Sequence, residues 1–313
     1  MVEIHLEKEE VAVLSAGTTA ARVSDSFQML LERIQPLSSE TAAAESHLAT
    51  IKGRISSAFT LRKWFVAGSY SRGSSIRNAS DVDVLAVVAR DDVRHGGAYV
   101  SSYTTLDNFR RELEGRFWNT NVFRDVHAAV VQFSDCKVEV VPAFFEKMIE
   151  NNGRQWPLYS IPDGTGNWMP TCPELYNAYI DGQNSASGGK LRYTAQLIKF
   201  WRECRSPRVP LSSFHIEMAL AYEGICKGVK SYAECATEVL QSLAARECRA
   251  FQDPFHISGM LPAVKTANQR ETALASVKYS RDQAKAALYS AALGDLQEAR
   301  RHWDIVFNAR FPW

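Results

Sequence analysis

The sequence has no run of 18 or more apolar residues, so it predicts no membrane-spanning helix and no membrane partner. Its first ten residues lack the basic-then-apolar order of a secretory signal, and we therefore expect a cytoplasmic protein. None of the six cysteines forms a Cys-x-x-Cys pair, which argues against a zinc ribbon, and their scatter does not support a disulfide framework.

The sequence also lacks an excess of one charge. Its 36 lysines and arginines face 35 aspartates and glutamates, for a net charge of +1. Proteins that grip long nucleic acids usually carry a clear basic excess. The balance therefore argues against long nucleic acid as a partner, although it does not exclude a local basic patch.

Two neighbouring aspartates give the clearest chemical signal. Asp81 and Asp83 lie on an apolar run, separated by one valine, twelve positions beyond the Gly68-Ser69 pair (81 − 69 = 12). Residues two apart on a strand point to the same face, and paired carboxylates repel unless a cation lies between them. An exposed strand edge with solvated charges is the alternative, but the apolar residues 84–88 favour a buried strand. The pair therefore indicates a site for a divalent metal bound to nucleotide phosphates.

A third carboxylate lies on a predicted β-hairpin formed by residues 128–133 and 137–141, the second strand closed by Pro142. Glu139 is flanked by valines in that strand. Alone, it reads as an outward-facing polar residue; beside the aspartates, we interpret it as a third metal ligand. Three such acids can hold two Mg²⁺ or Mn²⁺ ions, one activating an attacking hydroxyl and one clamping a triphosphate. Gly68 allows close backbone approach to a phosphate, and Ser69 offers a hydroxyl and an N–H.

The periodicity of apolar residues predicts an α+β chain with strands in the first half and helices in the second. We predict helices over 38–59, 106–117, 190–202, 211–222, 231–248 and 271–307, and strands over 63–67 and 81–88. Residues 151–189 are rich in Pro, Gly, Asn and Ser. They predict a long irregular connection, and with it a boundary between a domain over 1–160 and a domain over 161–313.

The Gly-Ser pair, the spaced aspartates and the strand-borne glutamate together resemble the DNA polymerase β-type nucleotidyltransferase superfamily. In the second half, Lys199 within Leu-Ile-Lys-Phe-Trp resembles the helix lysine of oligoadenylate synthases, and Ser213-Phe214 is similar to the Ser-Tyr of cyclic GMP-AMP synthase. The C-terminal residues are similar to the end of bacterial cGAS/DncV-like nucleotidyltransferases. From about residue 40 onward, the chain resembles these bacterial enzymes.

The resemblance implies a bilobal fold. A catalytic sheet lobe with a long N-terminal spine helix would occupy 1–160, and a helical lobe completing the nucleotide cleft would occupy 161–313. It implies a monomer that joins ATP, GTP or other nucleoside triphosphates into a cyclic di- or trinucleotide second messenger. It further implies a role in bacterial anti-phage signalling, with regulatory or effector proteins of a defence operon as partners.

The resemblance also assigns roles to residues of the second half, each with a plainer alternative. Lys199 and Ser213 would contact the donor triphosphate, or be a surface lysine and a helix cap. Phe214 would stack on the donor base, or pack in the core; the family has Tyr here, so a hydroxyl contact is missing and base choice is loosened. Arg72 is either a solvated charge or a phosphate contact, and His215 is expected to be a packed helix residue.

Two further functions compete with cyclic nucleotide synthesis. The first is template-independent transfer of nucleotides to RNA ends or to a small molecule, which needs an acceptor surface that the charge balance does not reveal. The second is an inactive nucleotide-binding or toxin-neutralising protein. The intact set of Asp81, Asp83 and Glu139 argues against it, because binding alone does not need all three metal ligands. The cysteine-bearing zinc insertion of the metazoan enzyme is absent, so activation by DNA-driven dimerisation is not implied.

Overall fold

The computed structural model describes residues 2–79 and 81–312, with the backbone alone for residues 2–14. The helices are α1 Val2–Ile34, α2 Ser38–Ala58, α3 Gly68–Ser71, α4 Ser102–Arg116, α5 Pro173–Ala186, α6 Lys190–Cys204, α7 Ser213–Glu223, α8 Tyr232–Ala245, α9 Ala267–Ala292 and α10 Leu296–Val306. The strands are β1 Leu61–Ala67, β2 Val82–Val88, β3 Arg94–His95, β4 Ala98–Tyr99, β5 Asn121–Arg124, β6 Ala129–Gln132, β7 Lys137–Asn151, β8 Arg154–Pro162, β9 Trp168–Thr171, β10 Phe251–Gln252 and β11 Met260–Leu261. In this part of the chain no helix is both long and apolar enough to cross a bilayer.

The chain divides into two compact units. The sheet unit comprises Pro36–Asp181 and Asp253–Gly259, and the helical unit comprises the residues up to Gln35, Gly182–Gln252 and those from Met260 onward. The boundary expected at residues 160 and 161 differs from this division, because β8 and β9 pair with the sheet and α1 packs against α9 and α10. The predicted combination of a mixed sheet, flanking helices and a helical lobe is confirmed.

A mixed sheet organises the sheet unit. Its strands follow the order β1-β2-β7-β6-β5, and β8 and β9 extend it from the far part of β7. β2 runs parallel to β7, whereas β1–β2, β6–β7 and β7–β8 are antiparallel. The sheet thereby places the start of β2 directly beside the start of β7, where the predicted acids lie.

Side chains alternate along β2 between the face of the sheet that packs on α2 and α4 and the opposite face. Val82 and Val84 belong to the core that includes Ile51 and Ile55 of α2 and Phe109 of α4. The predicted amphipathic helices over 38–59 and 106–117 are therefore confirmed as α2 and α4, because their apolar stripes cover one face of the sheet. The opposite face carries a smaller apolar cluster, Leu85, Val87, Ala143 and Tyr159.

One prediction about the end of a strand was wrong. Pro142 does not close its strand, because β7 continues to Asn151. β6 pairs with β7 only as far as Val140 and β8 pairs only from Phe144. Pro142 lies between these partners, so its missing N–H breaks no bond to either of them.

The segment 151–189 is also more regular than predicted. It contains β8, β9 and α5 rather than a long irregular connection. Its glycines lie at the turns, as at Gly153, Gly164 and Gly188, where φ is +71°, +85° and +64°. Glycine there supplies the left-handed backbone that a turn needs, so its frequency marks the ends of short elements.

Aromatic contacts fill the core of the helical unit. Phe27 of α1 meets Trp303 of α10 edge to face, with ring centroids 4.8 Å apart, and Phe307 and Phe311 complete the cluster. The predicted helices over 190–202, 211–222 and 231–248 are confirmed as α6, α7 and α8. The predicted stretch 271–307 is two helices, α9 and α10, separated at Gly294, where φ is +79°.

Candidate active site

Three carboxylates gather at the adjoining starts of β2 and β7. Asp83 and Glu139 are direct partners in the parallel register, and Asp81 immediately precedes β2. Asp83 shares its face with Leu85, on the side of the sheet away from the α2–α4 core, because side chains alternate along a strand. Register alone thus sets two of the three acids on neighbouring strands, whose spacing is about 4.8 Å.

A lysine that was missed in the sequence lies among these acids. Nζ of Lys137 is 2.7 Å from Oδ2 of Asp81 and 2.8 Å from Oε1 of Glu139. Burial lowers the pKa of Lys137, but its hydrogen bonds to the two carboxylates outweigh that effect, so the pKa is raised above its usual value. The ammonium therefore stays charged and bridges the acids. The signal was present in the sequence, since Lys137 precedes Glu139 by two residues and so shares its face.

The donor set fits a divalent metal ion. Carboxylate oxygens are the ligands that hard cations such as Mg²⁺ prefer, and the structure already holds a positive group between two of them. The bridging ammonium shows that this position favours positive charge. Asp81, Asp83 and Glu139 are the residues that would hold such an ion.

Only glycine fits at position 68, because of its backbone angle and the nearby carboxylate of Asp83. The φ of Gly68 is +65°, and a Cβ on it would overlap Oδ2 of Asp83. A larger residue would therefore be strained twice, by its backbone and by the carboxylate. Ser69, the next residue, is 9% exposed and lies in the short helix α3, whose start follows β1 directly.

Arg72, whose role the sequence left open, is buried in the sheet unit. Its Nη1 donates to Oδ1 of Asn177 at 2.8 Å, and Asn177 in turn donates to Oγ of Ser71. Ser71 also donates to the carbonyl of Gly68 at 3.1 Å. Arg72 is thus part of the hydrogen-bonded support of the Gly68-Ser69 turn, and it is not a solvated loop charge.

A cleft of about 420 Å³ opens beside Asp81. Asp81 and Lys137 line it together with Tyr70, Phe133 and Cys136. Burial, followed by the negative charges of Asp135 and Asp81, raises the pKa of the Cys136 thiol to about 11. The thiol is therefore protonated at neutral pH in the absence of a metal.

The remaining predicted residues lie in the helical unit. Lys199 of α6 is buried and forms an ion pair with Glu217 of α7, so its charge already has a counterion. Oγ of Ser213 accepts a hydrogen bond of 3.0 Å from Arg202, and Phe214 is half-buried. Contact of these three residues with a nucleotide stays a prediction.

The structure also defines the roles of Ser212 and His215 at the start of α7. The N-cap of α7 is Ser212, whose Oγ accepts from the backbone N–H of His215, so Ser213 is not the cap. His215 is buried, as expected, and burial lowers its pKa to about 4. Its Nδ1 donates to the carbonyl of Leu261.

Comparisons with known proteins agree on the kind of domain. A family model described as a second messenger oligonucleotide or dinucleotide synthetase domain matches residues 22–184. The chain is 25% identical over 246 residues to a probable cyclic nucleotide synthase of Bacillus cereus, covering 74% of this chain and 68% of that protein. It is 23% identical over 210 residues to the cyclic AMP-AMP-AMP synthase of Escherichia coli, covering 64% of this chain and 63% of that protein.

Solved structures share the fold. CdnC of Escherichia coli MS115-1, solved in complex with HORMA-deltaN, superposes with a TM-score of 0.68 at 19% identity, over 95% of this chain and 98% of that one. The same protein solved with ATP gives a TM-score of 0.67. At this level of identity the likeness establishes a common architecture, spanning nearly the whole of both chains.

Proposed function

Because the chain belongs to the family of second messenger oligonucleotide or dinucleotide synthetases, which are nucleotidyltransferases, we propose that it joins nucleoside triphosphates into a cyclic di- or trinucleotide. In each step a ribose hydroxyl of one nucleotide attacks the α-phosphorus of another. A phosphodiester bond forms, the bond to the leaving pyrophosphate breaks, and the hydroxyl proton is lost. The juxtaposition of Asp81, Asp83 and Glu139 is the single observation that carries this proposal.

The acids have separate tasks in this proposal. Asp81 and Asp83 would hold the metal, and Glu139, in register with Asp83, would be a further ligand and would help to take the proton of the attacking hydroxyl. Two Mg²⁺ or Mn²⁺ ions, when bound, would lower the pKa of that hydroxyl and neutralise charge on the triphosphate. Lys137 bridges the same carboxylates that would hold the cations, so its ammonium would have to leave Asp81 and Glu139 when they bind.

Gly68 and Ser69 form the phosphate-binding part of the sheet unit in this proposal. The absence of a side chain at Gly68 lets backbone and carboxylate approach each other closely, and Ser69 offers its hydroxyl and N–H to a phosphate oxygen. From the helical unit we propose that Ser213 contacts the triphosphate and that Phe214 stacks on the donor base. Lys199 takes part only if its ion pair with Glu217 opens.

A product assay tests the proposal. The purified chain is incubated with the four ribonucleoside triphosphates and Mg²⁺ or Mn²⁺, treated with phosphatase, and its products are identified by mass spectrometry. We expect phosphatase-resistant cyclic products. Glu139→Gln should lower their yield by roughly two to four orders of magnitude, the usual cost of losing a catalytic acid or base.

The matched control is Glu150→Gln, which changes an exposed glutamate farther along the same strand and should leave the yield unchanged. Linear products that require added RNA or another acceptor would support the template-independent transferase instead. If the wild-type chain turns over no triphosphate and Asp83→Asn behaves in the same way, both enzyme hypotheses fail. The chain is then an inactive nucleotide-binding protein.

The proposed product also indicates a biological role and partners. CdnC was solved with HORMA-deltaN, and the curated relatives are cyclic nucleotide synthases. We propose that this chain works in bacterial anti-phage signalling and that a regulatory or effector protein of a defence operon binds it. Adding that protein to the purified chain should raise the rate of pyrophosphate release, and an unchanged rate would contradict activation by this partner.

A further inference from the structure

A second group of metal-ligating side chains lies beside the acids, and the proposed function does not use it. His47 of α2, with Asp135 and Cys136 of the turn between β6 and β7, presents one nitrogen, one oxygen and one sulfur atom within 4.8 Å of one another. Nε2 of His47 is 3.0 Å from Oδ1 of Asp135. Two separate elements, a helix and a hairpin turn, therefore converge on one point.

The chemistry of these donors differs from that of the acidic site. Imidazole nitrogen, thiolate sulfur and carboxylate oxygen are the ligands of Zn²⁺ and related transition metals, whereas Mg²⁺ prefers oxygen alone. Zinc–ligand bonds of about 2.0–2.3 Å place neighbouring ligand atoms roughly 3–4 Å apart. The separation of His47 and Asp135 already meets this requirement, and Cys136 needs only a small side-chain movement.

The surroundings hold the ligands in place. The imidazole of His47 stacks on Phe133 with ring centroids 3.7 Å apart and planes inclined by 11°, which fixes the plane of the ring. The pairing of Gln132 with Lys137 closes the hairpin on either side of the turn. Asp135 and Cys136 also line the cleft beside Asp81, so an ion can reach them from solvent.

We propose that His47, Asp135 and Cys136 form a binding site for a transition-metal ion of the zinc class, separate from the site of the catalytic metals. On binding, the Cys136 thiol loses its proton to solvent and a metal–sulfur bond forms. The ion fastens the hairpin turn to α2. Since Lys137 directly follows Cys136, the ion also anchors the start of β7, which carries Glu139.

Cobalt substitution tests this site without relying on catalysis. The full chain is stripped of metal and titrated with Co²⁺, which takes the place of Zn²⁺ and reports thiolate ligation by a charge-transfer absorption band in the near ultraviolet. We expect this band to grow to one equivalent of Co²⁺ and to disappear when Zn²⁺ is added. Zn²⁺ should also raise the melting temperature of the wild-type chain.

Matched variants show whether the Co²⁺ signal comes from His47 and Cys136 or from another part of the chain. Cys136→Ser should abolish the band and the gain in melting temperature, and His47→Ala should weaken Co²⁺ binding. His95→Ala, at an exposed histidine on β3, and Asp83→Asn, in the acidic site, should retain both signals. Far-ultraviolet circular dichroism verifies that each variant is folded, and Cys136→Ala serves as a second thiol-free variant.

Three results would overturn the proposal: no thiolate band in the wild-type chain, a band that survives in Cys136→Ser, or a band lost in Asp83→Asn. In that case the contact between His47 and Asp135 is a side-chain hydrogen bond alone. None of these results bears on nucleotide transfer, so the proposed function and this site can fail independently.

Discussion

At the scale of single residues, the bridging position of Lys137 has the clearest energetic consequence. Its single positive charge lies between Asp81 and Glu139, both of which are partly exposed, and so reduces their mutual repulsion. Replacing it with methionine leaves the acids to repel each other, and we expect a loss of about 1 kcal/mol in the free energy of unfolding when EDTA is present. Excess Mg²⁺ should remove most of that difference, because the metal supplies the missing positive charge.

Urea unfolding of wild type and Lys137→Met in EDTA and in Mg²⁺ measures both quantities. Lys147→Met changes an exposed lysine on the same strand, and the difference between its free energy of unfolding and that of the wild type should be the same in EDTA and in Mg²⁺. An equal difference between Lys137→Met and wild type with and without Mg²⁺ would contradict the bridging role.

The buried His215 makes a second residue-scale prediction. Its pKa is about 4 in the folded chain, against about 6.5 when unfolded. The unfolded chain therefore binds a proton between these pH values and the folded chain does not, so stability falls as the pH drops from about 6.5 to 4. The contribution of this one group reaches at most about 3 kcal/mol at the acid end.

His215→Asn keeps a donor for the carbonyl of Leu261 but cannot titrate. We expect its free energy of unfolding to depend less steeply on pH over this range than that of the wild type. His95→Asn, at an exposed position, should follow the wild-type curve. Superposable pH profiles for His215→Asn and wild type would disprove the argument.

Residue types and spacing sufficed to predict Asp81, Asp83 and Glu139 as one group, because strand alternation places the two aspartates on one face and the chemistry of a metal site calls for a third acid. The parallel register that sets Glu139 opposite Asp83 was not predicted. The partners of individual cations could not be predicted. Lys137 and Lys199 look alike in sequence, yet one bridges two acids in a cleft and the other is buried against Glu217. That difference depends on which elements pack together, and periodicity does not encode it.

At the scale of elements, one carboxylate organises the segment 253–259. Asp253 is fully buried and accepts hydrogen bonds from the backbone N–H groups of Phe255, Ile257 and Ser258. It also accepts one from the hydroxyl of Tyr176 on α5. These bonds tie the segment to the sheet unit, although the flanking strands β10 and β11 belong to the helical unit.

Asp253→Asn removes the charge and places an amide where four donors converge. We expect a loss of about 2 kcal/mol in the free energy of unfolding and faster hydrogen exchange at residues 255–258. Asp163→Asn is the matched control. Asp163 likewise accepts from the N–H groups of Thr165 and Asn167, but it does so in an exposed turn, so its loss should be smaller. Equal losses for the two variants would refute the role assigned to burial.

Elements with a single apolar stripe were predictable, and α2, α4 and α6 appear where the period of 3.6 places them. The segment 151–189 was not, because β8 buries consecutive residues on both of its faces and β9 is short and half-buried throughout. Such strands show no alternation, and their proline and glycine content resembles that of a loop. Only pairing, of β8 with β7 and of β9 with β8, gives them a regular conformation.

At the scale of the whole molecule, the net charge of +1 makes activation by long nucleic acid unexpected. We predict that double-stranded DNA or RNA leaves the rate of pyrophosphate release unchanged at low salt. The rate is measured with and without added duplex, using a basic duplex-binding protein as a positive control for association. A stimulation that disappears as salt is raised would reveal a local basic surface and overturn the prediction.

The parallel pairing of β2 with β7 also determines when the active site comes into being during folding. The hairpins of β7 with β6 and with β8 join residues close in the chain and can form early, whereas Asp83 and Glu139 meet only after a long crossover has closed. Loop closure on this scale is entropically costly and belongs to the late, cooperative part of folding. No locally folded fragment of this chain therefore brings the acids together, and we expect that a partly synthesised chain cannot consume triphosphates before β2 and β7 have paired.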